Sequence, residues 1–269
     1  MYFLPVNSLP PPSPLFNVAA LLELAAGKLK LAGIAEARIE AGLLLQDVSG
    51  MSRSQLFLHG DSVLPEEKVK VFMQMLDRRC RREPLQYITG IREFWSREFL
   101  VSSAVLVPRP ETEFLLEHVL FTLRENDVQC GRIIDMCTGS GVIGIVLAHE
   151  LGAQVLAVDL SKEALQVAGK NIKKHHLEEN VSLLCSDLFS GLAGEQFFDL
   201  IVSNPPYIAD HAVKQLDPEV RDWEPRLALS GGRDGLVAIR RIVHDAANYL
   251  RSGGWLFVEI GADQKEGIL

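Results

Sequence analysis

The sequence of 269 residues lacks a long apolar run and lacks paired cysteines, and both absences exclude large classes of protein. No stretch reaches the about 18 consecutive apolar residues that a membrane-spanning helix needs, so we expect no membrane contact. The four cysteines form no Cys-x-x-Cys or Cys-x-x-His pair, which argues against a zinc site and against a disulfide framework. We therefore expect a reducing compartment and no metal.

Positive charge is also scarce. The chain has 27 Lys and Arg against 35 Asp and Glu, and its net charge is −8 at pH 7. Residues 1–84 carry a net charge of +1 and the remainder −9. This balance disfavours general electrostatic binding to nucleic acid. No Lys or Arg precedes Lys28, so we expect neither a secretory signal nor an Arg-rich transit peptide.

Between Asn17 and Glu83, apolar residues recur at the helical spacing i, i+3, i+4, i+7. The stretch "LPEEKVKVFMQMLDRRCRRE" opens with acids and closes with arginines, the order that a helix dipole favours. The pattern predicts a helical bundle as the N-terminal domain, residues 1–84, with the Pro-rich residues 1–16 as an extended lead-in. Its arginine cluster is either a docking surface for a protein or a solvated helix end (Arg78, Arg79, Arg81 and Arg82).

Aromatic and β-branched residues around Gly90 predict a β-hairpin linker over residues 85–110. From residue 111 to 269, short apolar strands alternate with helical stretches, beginning with "GRIIDM" and ending with a fifth strand, "WLFVEIG". This alternation predicts an α/β domain with a parallel sheet covered on both faces.

A glycine loop follows the first of these strands. Gly139, Gly141 and Gly144 of "DMCTGSGVIG" spell GxGxxG, which is either a dinucleotide fingerprint with a helix N-terminus for a pyrophosphate or a tight strand-to-helix turn without a ligand. Asp159 ends the second strand, 20 residues after Gly139. Its carboxylate is placed either to accept hydrogen bonds from ribose hydroxyls or to cap the next helix. Together they imply an adenosine-containing ligand and leave NAD and S-adenosylmethionine open.

Asp187 of "CSDLF" follows the third strand, at the sheet edge where ligands bind in such folds. It either accepts a hydrogen bond from an adenine amino group or is a turn residue.

The fourth strand ends in "NPPY". Pro205 holds Asn204 extended, and two prolines fix the local backbone and remove two N–H donors. The Asn204 side-chain oxygen and the Pro205 carbonyl then form a rigid set of acceptors beside the ring of Tyr207. Such acceptors match a planar –NH₂ group whose nitrogen is aimed at an electrophile. This favours a methyltransferase that acts on nitrogen over a hydride-transfer enzyme.

These motifs carry a family resemblance. "NPPY" after a fourth strand and "CTGSG" after a first are similar to those of S-adenosylmethionine-dependent N-methyltransferases, and "PLQYITG" and "VLVPRPETE" narrow this to the HemK/PrmC family. The similarity runs from the helical domain to "VEIG". It implies a Rossmann-like class I methyltransferase domain that methylates the glutamine of a Gly-Gly-Gln loop in class I peptide-chain release factors. We also expect a monomer in the cytoplasm.

The motifs and the resemblance together give the expected functional residues. Those expected to bind S-adenosylmethionine are Cys137, Thr138, Gly139, Ser140, Gly141, Asp159, Asp187, Leu188 and Asn204. Those expected to bind the substrate are Asn204, Pro205, Pro206 and Tyr207, of which Asn204, Pro205 and Tyr207 are the catalytic candidates. Trp223 either lies over the active site, as the family implies, or simply packs.

Two departures from the family stand out. Cys137 occupies a position where the family usually has glycine, so the backbone is predicted to keep φ < 0 there. The sequence stops at "ADQKEGIL", where family members continue through a helix and an antiparallel strand pair, so we expect a truncated C-terminal sheet edge. Two rival functions stay open: an amino-methyltransferase acting on a nucleic-acid base, and a non-catalytic module that binds release factors.

Overall fold

The computed structural model describes residues 17–192, 197–262 and 264–268. The expected lead-in, residues 1–16, lies outside them. The chain divides into two compact units, residues 1–89 and 90–269. The boundary thus falls five residues after the end of the predicted N-terminal domain.

The first unit is helical. Its helices are α1 (Val18–Leu31), α2 (Ala37–Ser49), α3 (Arg53–Leu58), α4 (Glu66–Cys80) and α5 (Leu85–Thr89). The Asn17 side chain caps α1 by accepting from the Ala20 N–H, and Ser52 with Gln55 forms a capping box on α3. The helical spacing of apolar residues places one face of α1, α2 and α4 in a common core built around Leu29, Leu44, Leu45, Phe72 and Leu76.

The arginines at the end of α4 bind within this unit. Arg79 is buried and donates two hydrogen bonds to the Glu40 carboxylate on α2. Arg78 Nε donates to Glu83 Oε2 at 2.8 Å, and Arg82 Nη1 donates to the Gly33 carbonyl at 2.6 Å. The prediction of a solvated helix end is therefore wrong for buried Arg79, and Arg78 and Arg82 are partly buried and also bind within the bundle. A docking role for this cluster stays a prediction.

The second unit begins with a hairpin and continues as an alternating α/β domain. The hairpin strands are β1 (Ile91–Phe94) and β2 (Arg97–Leu100). Four further strands alternate with helices: α6 (Pro110–Glu125), β3 (Arg132–Met136), α7 (Val142–Leu151), β4 (Gln154–Asp159), α8 (Lys162–Lys174), β5 (Val181–Cys185) and β6 (Phe198–Ser203). The elements after β6 are α9 (Asp210–Val213), α10 (Pro218–Arg221), α11 (Arg226–Leu229), α12 (Val237–Ala246), β7 (Leu250–Val258) and α13 (Lys265–Ile268).

Five strands form one parallel sheet in the order β5-β4-β3-β6-β7. The prediction of a Rossmann-like α/β fold is confirmed. The central strands β3 and β6 are almost wholly buried, as continuous apolar runs such as "LIV" require. Since the chain leaves β3 toward β4 on one side and returns to β6 on the other, a crevice opens beyond the carboxyl end of β3.

Two boundaries differ from the sequence predictions. Residues 85–89 of the predicted hairpin linker form helix α5, and the hairpin itself covers Ile91–Leu100. The last strand begins at Leu250 and not at Trp255. Ser252-Gly253-Gly254 lies ahead of the predicted strand, but this segment is an irregularity inside the observed strand, where the register with β6 shifts and Gly253 takes φ 76°.

Candidate active site

The carboxyl ends of the parallel strands surround a cavity of about 440 Å³. The loop after β3 forms one wall, and Gly139 and Gly141 adopt φ values of 56° and 86°, which permit its tight turn into α7. At Gly141 an added Cβ would lie 3.3 Å from the Ala168 Cβ, so the loop packs closely on α8. Four of the five predicted cofactor residues from 137 to 141 line this cavity, namely Cys137, Thr138, Gly139 and Ser140, whereas Gly141 does not.

Cys137 departs from the sequence prediction. Its φ is +63°, in the left-handed region, so the predicted negative φ is wrong. The turn between β3 and the glycines imposes this conformation, and a non-glycine residue there costs on the order of 1–2 kcal/mol. Burial, reinforced by Asp159, raises the pKa of the Cys137 thiol to about 12. The side chain is therefore a neutral part of the cavity wall.

Asp135 fixes the glycine loop through hydrogen bonds. This fully buried residue of β3 accepts hydrogen bonds on Oδ2 from the Thr138 hydroxyl at 2.5 Å and from the Gly144 N–H at 2.9 Å. Burial raises its pKa to about 6. The sequence analysis did not single out Asp135, although an acid inside the apolar run "RIIDM" is the signal for such a role.

Asp159 lies at the end of β4 and faces the same cavity. Its carboxylate accepts from the Gly139 N–H at 2.8 Å and from the Ser161 N–H at 2.9 Å. The cap of α8 is Ser161, whose hydroxyl accepts from Ala164, so Asp159 does not have that task. A carboxylate offers about four acceptor positions, which leaves room for further donors from a ligand.

Asp187 and Leu188 also line the cavity, beyond β5. The Asp187 carboxylate forms a two-point ion pair with Arg241 of α12, at 2.9 and 3.0 Å. Arg241 lies in the cavity wall as well and was missed by the sequence analysis, since nothing in the sequence links positions 54 residues apart. Asp187 thus has a cationic partner in addition to any ligand.

The segment Asn204–Tyr207 leaves the end of β6 at the opposite wall. Pro205 is buried, and Asn204 and Pro206 line the cavity. The Asn204 Nδ2 donates a hydrogen bond to the Thr112 hydroxyl at 2.9 Å. Thr112, near the start of α6, donates in turn to Glu259 Oε2 at 2.8 Å. Thr112 and Glu259 belong to the motifs "VLVPRPETE" and "VEIG", from which no role was predicted for either residue.

Glu259 also contacts the tyrosine of the motif. The Tyr207 hydroxyl donates to Glu259 Oε1 at 3.3 Å, and burial, reinforced by Glu259, raises the pKa of Tyr207 to about 12. Burial likewise raises the pKa of the Glu259 carboxyl, opposed by the hydrogen bonds from Thr112 and Tyr207. The phenol therefore stays neutral and acts here as a donor.

Two glycines allow a second segment to pack on the backbone of this motif. A Cβ at Gly231 would lie 2.5 Å from the Pro206 carbonyl oxygen, and a Cβ at Gly235 would lie 2.3 Å from the Tyr207 carbonyl oxygen. Only glycine permits such an approach. The Gly231 N–H and the Leu229 carbonyl also pair with the backbone of Ile208, so the asparagine-proline segment is fixed from behind.

Comparisons with known proteins agree with this arrangement. The PrmC N-terminal domain profile matches residues 20–90, and the methyltransferase small domain profile matches residues 110–218. A release factor glutamine methyltransferase from Geobacter sulfurreducens is 40% identical over 256 residues, covering 95% of this chain and 88% of that protein. Proteins of the same name from Caulobacter vibrioides and Koribacter versatilis are 40% and 42% identical, covering 90% and 83% of this chain and 83% and 79% of their own lengths.

The chain belongs to the release factor glutamine methyltransferase family. It is an S-adenosylmethionine-dependent methyltransferase, as the sequence analysis predicted.

The cavity fits the cofactor of this family. At Gly139 a Cβ would meet nothing within 4 Å, so the open space borders the glycine loop directly. Asp159 offers acceptors for two hydroxyls, and the apolar side chains of Val158, Leu160 and Leu188 line the same wall. A nucleoside needs both kinds of surface, one for its sugar and one for its base.

A segment between α10 and α12 completes the cavity of this family member. Pro225, Leu227 and Ala228 line it, whereas Trp223 is half-buried and does not. The residues that follow Trp223 thus lie at the site, and Trp223 itself does not line the cavity. Glu224 fixes the segment, because its carboxylate is buried and accepts two hydrogen bonds from Arg109 Nη2, at 2.7 and 2.8 Å.

Among the residues that the structure describes, no group of three or more His, Cys, Asp or Glu is placed to hold a metal ion. Over the same described ranges, no helix is both long and apolar enough to cross a bilayer.

Proposed function

We propose that this protein transfers the methyl group of S-adenosylmethionine to the side-chain amide nitrogen of the glutamine in the Gly-Gly-Gln loop of class I peptide-chain release factors, in the cytoplasm. The observation that carries this proposal is the orientation of Asn204. Its amide nitrogen is occupied by Thr112, so its Oδ1 is left to accept a hydrogen bond at the cavity. The relatives' names supply the class of protein acceptor.

The acceptor chemistry explains why such a site is needed. A glutamine amide nitrogen is a poor nucleophile because its lone pair is delocalised into the carbonyl. If Asn204 Oδ1 and the Pro205 carbonyl accept hydrogen bonds from both N–H groups, they favour the positive charge that develops on nitrogen in the transition state. Holding the nitrogen in line with the methyl group adds to this, within a ceiling of about 7–11 kcal/mol for orientation effects.

The roles of the other residues follow from their places. S-adenosylmethionine supplies an electrophilic methyl group on a sulfonium. Cys137 to Gly141 hold the cofactor against the end of β3, and Asp159 accepts hydrogen bonds from its ribose. Asp187 and Leu188 border the base, and Pro206, which lines the cavity beside Tyr207, forms the wall against which the glutamine lies. Neutral Cys137 and neutral Tyr207 add no charge beside the sulfonium.

The test is a methyl-transfer assay with labelled S-adenosylmethionine and four acceptors: an intact release factor, the same factor with its Gly-Gly-Gln glutamine changed to alanine, tRNA and duplex DNA. We expect label on the intact factor alone. Asn204→Ala should lower the single-turnover rate on the order of 10²–10³-fold, as loss of one oriented group at a developing charge does. Cofactor affinity, measured by calorimetry, should change little.

Three outcomes would contradict the proposal. Label on tRNA or DNA would favour the amino-methyltransferase of a nucleic-acid base. Binding of the factor without transfer would favour a non-catalytic module. A rate for Asn204→Ala close to that of the wild type would remove Asn204 from the acceptor site.

A further inference from the structure

The hydrogen bonds around Asn204 form a chain with a defined direction. Asn204 Nδ2 donates to Thr112 Oγ1, and Thr112 Oγ1 donates to Glu259 Oε2. The Asn204 side chain also hydrogen-bonds to Glu259, and the Tyr207 hydroxyl occupies the other carboxylate oxygen. The Glu259 N–H donates to the Ser203 carbonyl at 2.9 Å, which ties the carboxylate to the end of β6.

Counting protons explains the direction. An ionised carboxylate only accepts hydrogen bonds, and a threonine hydroxyl has a single hydrogen to give. Since Thr112 gives that hydrogen to Glu259, it meets Asn204 with a lone pair. The asparagine must therefore present its –NH₂ side to Thr112, and its oxygen must point the other way. An asparagine amide has no such preference by itself, because its two ends have nearly the same shape.

We propose that Thr112 and Glu259 are positioning residues that fix the orientation of the Asn204 amide, so that its oxygen and not its –NH₂ group meets the acceptor. This inference rests on the proposed function, in which the acceptor presents an –NH₂ group. If Asn204 were rotated by half a turn, its oxygen would face the lone pair of Thr112, so two acceptors would meet and the hydrogen bond would be lost. Thr112 is 2% exposed, so water does not replace its contribution.

Four substitutions test this inference. Thr112→Val keeps the shape of the side chain and removes the hydroxyl, and Thr112→Ser keeps the hydroxyl. Glu259→Gln keeps the shape but introduces a donor, so the chain can reverse. Thr122→Val, on the same helix α6 but outside this network, is the matched control.

We expect Thr112→Val and Glu259→Gln to lower kcat by about 10- to 100-fold, the range for loss of a hydrogen bond to a charged group. The Kd for S-adenosylmethionine and the melting temperature should stay close to wild-type values. Thr112→Ser should recover most of the rate, and Thr122→Val should leave it unchanged. A purely structural role predicts a lower melting temperature for Thr112→Val and a normal kcat for Glu259→Gln.

A double-mutant cycle separates this inference from the proposed function. If Thr112 acts through Asn204, adding Thr112→Val to Asn204→Ala will lower the single-turnover rate no further. If the rate losses of Thr112→Val and Asn204→Ala multiply in the double mutant, the inference is overturned. Wild-type kcat for both Thr112→Val and Glu259→Gln would also overturn it. So would a Thr112→Ser variant that is as impaired as Thr112→Val. The proposed function fails by a different result, a normal rate for Asn204→Ala itself.

Discussion

At the scale of single residues, Asp159 joins the glycine loop to the cavity wall. Its carboxylate already accepts from the backbone of Gly139 and Ser161 while facing the cavity. The same group thus fixes the shape of the loop and offers acceptors to a ligand.

We expect Asp159→Ala to weaken S-adenosylmethionine binding, by about 1.5–3 kcal/mol for each hydrogen bond that its charge accepts. Calorimetric titration of the purified protein measures this. Asp159→Asn, which keeps one acceptor oxygen without the charge, should bind with intermediate affinity. An unchanged Kd for Asp159→Ala would show that Asp159 serves only the loop.

Some residues of the site could be predicted from sequence and others could not. The sequence predicts Asn204, Pro205 and the glycines because only these residue types produce the required backbone or acceptor geometry. The positive φ of Cys137 runs against the preference of a non-glycine residue and is imposed by the strand and loop on either side. Arg241 and Glu259 meet partners that lie far away in the sequence, so local patterns carry no trace of them.

At the scale of elements, the end of α4 shows that a residue of a charged cluster can be buried between helices. The Arg79 side chain is 6% exposed and its partner Glu40 is 17% exposed, so this ion pair joins α4 to α2 away from water. The sequence predicts α1, α2 and α4 well because their apolar periodicity is strong. It cannot predict the ion pair, which depends on how the helices pack.

We expect Arg79→Met to lower the free energy of unfolding by about 3–5 kcal/mol, since it leaves the Glu40 carboxylate buried without its partner. Urea denaturation followed by the helical signal measures this. Arg81→Glu changes an exposed residue of the same cluster and should alter stability by less than about 0.5 kcal/mol. Equal stability of the two variants would contradict a structural role for Arg79.

At the scale of the whole molecule, acidic groups exceed basic ones, and Asp135 is an acid of the α/β unit with no exposed surface. Its Oδ1 has no hydrogen-bond partner among the described residues. The folded protein binds the Asp135 proton up to a pKa of about 6, whereas an unperturbed aspartate loses it near 3.8. Ionising Asp135 therefore costs stability.

We expect this residue to make the free energy of unfolding fall as pH rises from about 4 to about 6, because the folded state holds the proton in that window and the unfolded chain does not. The loss is on the order of 3 kcal/mol. Asp135→Asn keeps an acceptor for Thr138 and Gly144 and should show a flatter curve. Urea denaturation at several pH values measures both proteins. A difference between them that does not vary with pH would contradict the expectation.

The network around Asn204 joins positions that are far apart in the order of synthesis. Thr112 and Glu259 are separated by 147 residues, whereas the glycine loop and Asp159 lie within the first part of that interval. Chains fold progressively from the N-terminus as they leave the ribosome. A nascent chain thus contains the loop for the methyl donor well before it contains the carboxylate that orients Asn204. If Glu259 positions Asn204 as proposed, the growing chain completes the loop for the methyl donor before the network for the acceptor nitrogen.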